Sequence, residues 1–347
     1  MRLLCAWMTC SLACSSVSNP DAGDAATRDA AIRDTATLDS SRDSANLDAG
    51  QECPGWCPSE SLPEALQEIS VTAFRDGFIV LGGFDGDGNI ETSVHFFRPG
   101  DGFRALPALP DARHHAGVVV SGEDIYVFGG MRDARFTPLS RSYVLRDGAS
   151  EWTEISPMPS ARAAGVAANM DGVLVFVGGQ GDGRNSAEEL EDARAVYIYE
   201  PASDTWRQAA QIPTARDHAA GFVLNGELWV VGGRRLQLEP TLSVVEIYNL
   251  ARDEWRSGPA MPRPRGGHAA VALDGRAYVS GGEQREGALR SVDIYDLEGG
   301  WTEGPQMRSP RHGHGMAALD VVLYAVGGAD MPIFAAVDSM EVLSTGR

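Results

Sequence analysis

Five arginines recur at one place in the chain. Arg113, Arg162, Arg216, Arg265 and Arg311 each stand ten residues after a large aromatic side chain, and His114, His115, His218, His268, His312 and His314 lie one to three residues past them. A ring of guanidiniums suits a carboxylate, sulfate or phosphate, which arginine grips through paired charge-assisted hydrogen bonds. Gathered imidazoles could hold a metal ion, although a histidine at a repeated strand start more often satisfies backbone groups. The five arginines are therefore read as a candidate ligand-binding set, and no metal or cofactor is assigned. Internal ion pairing is the competing role for the arginines. Glu246, Asp293 and Glu341 recur at matching positions, whereas His95, Tyr143 and Tyr197 fill those positions in the earlier copies. On that count Arg113 and Arg162 lack a repeat-encoded acid.

Other chemistry finds little support. The chain has no phosphate-cradling glycine loop and no G-x-S-x-G elbow. "DGDGNIE" (Asp85 to Glu91) has Ile90 where a calcium loop of the EF-hand kind needs glycine, so it reads as a hairpin turn. A formal charge of 29 − 48 = −19 argues against a nucleic-acid partner. Every basic residue is arginine. The five cysteines, Cys5, Cys10, Cys14, Cys53 and Cys57, all precede residue 58, leaving the body without cysteine ligands or disulfides.

What positions the arginines is a repeat. The pairs Trp56/Gly82, Phe103/Gly129, Trp152/Gly178, Trp206/Gly232, Trp255/Gly281 and Trp301/Gly327 are each 26 residues apart, and each of these glycines begins a Gly-Gly pair. Six residues after the aromatic comes Leu62, Leu109, Met158, Ile212, Met261 or Met307. The arginine slot follows at ten, and Leu66 is its one exception. Short β-rich runs such as "HAAVAL" and "RAYVSGG" flank a two-residue turn at Asp274-Gly275. Four such strands per unit predict a four-stranded antiparallel blade.

The double glycine followed by spaced tyrosine and tryptophan (Tyr248/Trp255, Tyr295/Trp301) resembles the kelch-repeat family over residues 56–347. That resemblance implies an all-β, six-bladed β-propeller. The last copy stops nineteen residues after Gly328, just where its fourth strand should begin, so the Trp56 segment is expected to supply that strand and close the ring. In this geometry the arginine slots, with Arg132, Arg135, Arg184, Arg234, Arg235 and Arg285 from the loops after the glycine pairs, would line one channel mouth as a basic funnel. Copper oxidation as in galactose oxidase, another kelch propeller, needs a cysteine crosslinked to a tyrosine inside the propeller, and none follows Cys57. The function expected is a non-enzymatic, monomeric module binding a protein or glycan, acidic if the arginines are open. The alternative is an envelope carbohydrate-active enzyme resembling sialic-acid mutarotases.

The N-terminal segment reads differently. Residues 1–14, "MRLLCAWMTCSLAC", have the layout of a short export signal and resemble a bacterial lipoprotein signal, with Cys14 the lipidated residue. A plain secretory signal or a misassigned start codon is the alternative. Residues 15–52 are rich in Asp, Ala and Ser with no aromatic side chain, the composition of a disordered tether. The propeller is assigned to 53–347. In an exported protein Cys53 and Cys57 would pair with each other; free thiols or an intermolecular bridge are the alternatives. Together these predict a cell-envelope protein, an outer-membrane lipoprotein touching the membrane only through its lipid.

Overall fold

Each repeat folds into one antiparallel sheet because its strands are five residues long or less and are joined by turns that reverse the chain at once. In the fifth repeat, Ala269–Leu273 and Arg276–Ser280 are connected through Asp274 (φ 50°) and Gly275 (φ 75°). These are the two positive angles of a hairpin turn whose twist matches its strands. The second strands are buried along most of their length, Gly77–Leu81 along all of it and the other five except at their first residue, as expected of a strand with a blade on both faces. The computed structural model describes residues 54–182, 193–235, 240–331 and 334–346. Cys14, Cys53, Arg184, the signal and the tether lie outside the described residues. Cys57 is held in a disulfide. Among the described residues no helix is long and apolar enough to cross a membrane.

Among the described residues six four-stranded sheets result, as the repeat count predicts, with one additional two-stranded ribbon (Glu283–Gln284 with Gly287–Ala288) in the fifth. The first strands are Ser70–Phe74, Gly117–Ser121, Val166–Met170, Ala220–Leu224, Ala269–Leu273 and Gly315–Leu319. They stand side by side around a central channel, the sixth against the first. Between neighbouring blades lie the apolar clusters, for example Ile79, Leu81, Val118, Val127 and Trp152.

The ring closes as expected. Cys57 and Pro58 pair antiparallel with Val342 and Glu341 of strand Met340–Ser344, forming the outermost strand of the sixth blade. The repeat tryptophans show how neighbouring blades are fastened. Trp152, Trp206, Trp255 and Trp301 donate their indole N–H to the carbonyls of Pro107, Ser156, Ala210 and Pro259 in the preceding blade. Trp56, buried beside Cys57, makes the same bond to Pro305 at 2.9 Å, across 249 residues of sequence.

A chain shortened by residues 1–60 loses this strand and should melt well below, or aggregate before, a chain shortened by residues 1–50. Thermal unfolding followed by circular dichroism compares the two; equal melting temperatures would show that the closing strand adds nothing.

Candidate functional site

The mouth is built by the same step in every blade. The residue after the arginine slot bridges to the residue after the glycine pair, giving Gln67–Phe84, His114–Met131, Ala163–Gln180, Asp217–Arg234, Gly266–Glu283 and His312–Ala329. Two residues after the slot stand Glu68, His115, Ala164, His218, Gly267 and Gly313, all with φ between 52° and 60°. Their backbones form a hydrogen-bonded belt. Each N–H from His115 onward donates to the carbonyl of the same position in the preceding blade, at 2.8–3.1 Å, and Ile69 N–H closes the circle onto Gly313. Left-handed backbone costs a non-glycine residue about 1 kcal/mol, and such strain persists where the surroundings over-determine it.

The arginine slots lie within the blades rather than in the mouth. All five guanidiniums are buried, the residues being 0–1% exposed. Arg113, Arg216, Arg265 and Arg311 donate from Nη1 to the carbonyl of the first glycine of their own blade, sixteen residues on, at 2.7–3.0 Å. Arg162 donates to Gly179 instead and to Ser160 Oγ. The acids foreseen as internal partners are engaged: Arg216 meets Glu246, Arg265 meets Asp293 at 2.6 Å and Arg311 meets Glu341 at 2.7 Å. Arg113 has a partner after all, which corrects the reading from the repeat alone. Asp111, two residues earlier, pairs with it and also accepts from Tyr143 Oη, while the guanidinium lies 4.9 Å from the centre of the Tyr143 ring. Burial pulls the Arg265 guanidinium down to about 10, with Asp293 opposing the shift, so it stays charged at neutral pH.

What lines the mouth is a mixed group around Glu68. The Glu68 carboxylate reaches His115 Nε2 at 2.9 Å and His312 Nε2 at 3.6 Å. His115 Nε2 lies 3.0 Å from His218 Nε2. Behind them, Asp217 Oδ1 stands 2.5 Å from His218 Nδ1, and Arg234 links His218, Asp217 and Glu283. Burial opposes ionisation of Glu68, yet the neighbouring imidazoles, His115 foremost, hold its carboxyl well below the usual range. Burial likewise lowers His218, and it takes His114 to about 3. Above this floor is a cavity of about 200 Å³ walled by Phe84, Phe136 and Phe334, the last 54% exposed. A smaller cavity lies below it, between Ile69, His268 and His314.

Two expectations change here. The funnel is not simply basic, because Glu68, Asp217 and Glu283 share it with Arg234. The six histidines also divide by register: His115 and His218 meet at the belt and His114 and His312 flank it, while His268 and His314 line the cavity beneath. Glu68 was not singled out from sequence, although it stands twelve residues after Trp56, as His115 and His218 stand twelve after Phe103 and Trp206.

Comparison with known proteins agrees with this architecture. Residues 68–261 match the KLHDC2/KLHL20/DRC7 Kelch-repeats domain, and residues 264–308 match the Kelch motif. The chain belongs to the kelch-repeat family. Among kelch relatives, Kelch-like protein 35 of Mus musculus is 27% identical over 54% of the chain and 31% of its own length. Kelch-like protein terF of Aspergillus terreus is 29% identical over 51% of the chain and 40% of its own length. Beta-scruin of Limulus polyphemus is 29% identical over 41% and 15%. The chain thus spans well under half the length of these relatives. The solved structure of YjhT superposes with a TM-score of 0.69 at 16% identity, over 80% of this kelch chain and 95% of its own, a likeness of fold.

Replacing Arg265 with methionine should destabilise the propeller by about 1–3 kcal/mol, because Asp293 keeps its pair with Arg263 but the Gly281 and Ser291 carbonyls lose their buried donor. Urea unfolding gives the number, and a loss below about 1 kcal/mol would show the pair to be dispensable.

Proposed function

We propose that this kelch propeller is a binding module, tethered in the cell envelope, that receives a glycan or a protein segment at its loop-rich mouth. The observation that carries the reading is the cavity over the belt, lined by Phe84, Phe136 and Phe334 together with Glu68, Arg234 and Glu283. An aromatic wall gives apolar contact to a sugar face or an apolar side chain, and a few convergent polar groups fix its orientation. A volume of about 200 Å³ is below the roughly 300–1,000 Å³ of whole-ligand sites. It suits one projecting sugar ring or side chain, with the rest of the partner on the rim. The exposed Met331 and Phe334 extend that rim. The buried arginine ring would serve this site indirectly by holding the loops, and Arg234 is the guanidinium placed to meet an acidic group.

The enzymatic alternative, resembling sialic-acid mutarotases, draws support from one feature. Glu68 and His115, 2.9 Å apart at the cavity floor, could pass protons at a sugar's ring and anomeric oxygens. Their closeness serves binding equally well.

Two experiments test the proposal. A glycan array and a peptide display screen on the full chain should yield a ligand whose affinity falls at least tenfold in Phe334→Ala, with its melting temperature unchanged, and in Arg234→Ala, with its native circular dichroism retained. Ligands that bind these variants as well as wild type would move the site elsewhere, and anomer interconversion abolished by Glu68→Gln would favour the enzyme. For the tether, wild type should partition into detergent and Cys14→Ser into water; a wild-type protein found wholly in the aqueous phase would remove the anchor.

A further inference from the structure

We propose that Glu68, His115 and His218 form a binding site for a divalent first-row transition-metal ion at the floor of the mouth, its remaining coordination positions facing the cavity. Glu68, His115 and His218 each offer one donor atom, and the three atoms lie within 4.8 Å of one another. His115 Nε2 is 2.9 Å from Glu68 Oε2 and 3.0 Å from His218 Nε2. Ligands at right angles on a metal with bonds of about 2.1 Å stand about 3.0 Å apart. Two imidazoles and one carboxylate on one face of the ion is a donor set that first-row divalent metals accept, leaving positions open for an incoming oxygen.

The second argument comes from the proton positions that the surroundings impose. His218 Nδ1 faces Asp217 Oδ1 at 2.5 Å, so Nδ1 carries the proton and Nε2 presents a lone pair. His114 Nε2 is turned to the Asp133 carbonyl at 3.2 Å, which makes its Nδ1 the acceptor for His115 Nδ1–H at 2.5 Å. In the neutral ring His115 Nε2 is then a lone pair as well. In that state two lone pairs and a carboxylate oxygen converge, and the cluster needs a positive centre among them, which either a metal ion or a proton on His115 Nε2 can supply. Arg234 supplies part of that charge by donating to His218 Nε2 at 2.9 Å. It does not lie between His115 and Glu68, and its bonds to Glu283 and Asp217 would hold it in place if a metal displaced it. Histidine ligands held by a carboxylate or a second hydrogen bond behind them are the usual supporting arrangement of a metal site.

The rest of the belt leaves room for the site. A side-chain carbon on Gly313 would meet Glu68 Cδ at 2.5 Å, and Gly267 and Ala164 likewise place no bulk at their positions. The site is also partly enclosed, with side-chain exposures of 13% for Glu68, 6% for His115 and 7% for His218.

The test uses the untagged full-length protein, stripped with EDTA and titrated with Co²⁺ by calorimetry and by visible absorption. One equivalent should bind at micromolar affinity or tighter, with the weak visible bands of nitrogen and oxygen ligation, and Zn²⁺ should displace it. Glu68→Gln and His218→Gln should each weaken binding at least tenfold, whereas His95→Gln on the outer part of the first blade should leave it intact. Wild type that takes up no Co²⁺ overturns the proposal. So does uptake marked only by the near-ultraviolet sulfur-to-cobalt band, which would place the ion on the N-terminal cysteines. Binding that persists in a natively folded Glu68→Gln/His218→Gln double variant overturns it equally. The readout needs no glycan or peptide, so a failed ligand screen leaves it standing.

Discussion

One backbone hydrogen bond, made six times, holds the blades in register. The N–H of the second glycine of each pair donates to the carbonyl of the arginine-slot residue in the next blade: Gly83 to Arg113, Gly130 to Arg162, Gly179 to Arg216, Gly233 to Arg265, Gly282 to Arg311 and Gly328 to Leu66. For that bond to form, the two backbones must come so close that a side-chain carbon on the first glycine would collide. On Gly129 it would lie 2.1 Å from the Arg162 carbonyl oxygen, and on Gly82 it would lie 2.3 Å from that of Arg113. The positive φ of these glycines adds to the requirement. The constant 26-residue interval is the chain length needed to bring aromatic, arginine and glycine pair to these contacts in each blade.

The arginine is the side-chain half of the same joint. For Arg113, Arg216, Arg265 and Arg311, Nη1 reaches both the first glycine's carbonyl and a carbonyl just before the third strand: Arg141, Val244, Ser291 or Ser339. Only a long, forked, permanently charged donor satisfies two buried carbonyls and a carboxylate at once. Leu66 can stand in the first slot because the inter-blade bond uses its backbone oxygen; its side chain joins the apolar cluster with Leu62 and Ile69 instead.

The fold was legible because its constraints are local and repeated: the Asp274-Gly275 turn, the glycine pairs and the tryptophans each leave a residue type at a fixed interval. The closing strand was legible from an unmatched Trp56 and a sixth copy short of a strand. The mouth was harder to read. Charge type suggests that an arginine faces water, yet whether it does depends on carbonyls sixteen and twenty-six to twenty-eight residues away, and on neighbours such as Asp111 whose residue type does not recur in the other copies. Glu68 was invisible for the opposite reason. It occupies the one copy that departs from the arginine pattern, and its meaning comes from His115 and His218, which reach it through space.

The belt has a consequence for how such a mouth can change. Its six positions share one backbone geometry, so exchanging a side chain between them carries the group round the axis by a sixth of a turn at constant radius. Chemistry there can be rearranged by rotation, as digits are on a dial, without rebuilding any loop. In this chain the dial reads acid, imidazole, methyl, imidazole, and then two blanks at Gly267 and Gly313. A six-fold scaffold thereby becomes a lopsided mouth, whose side chains single out one direction round the axis.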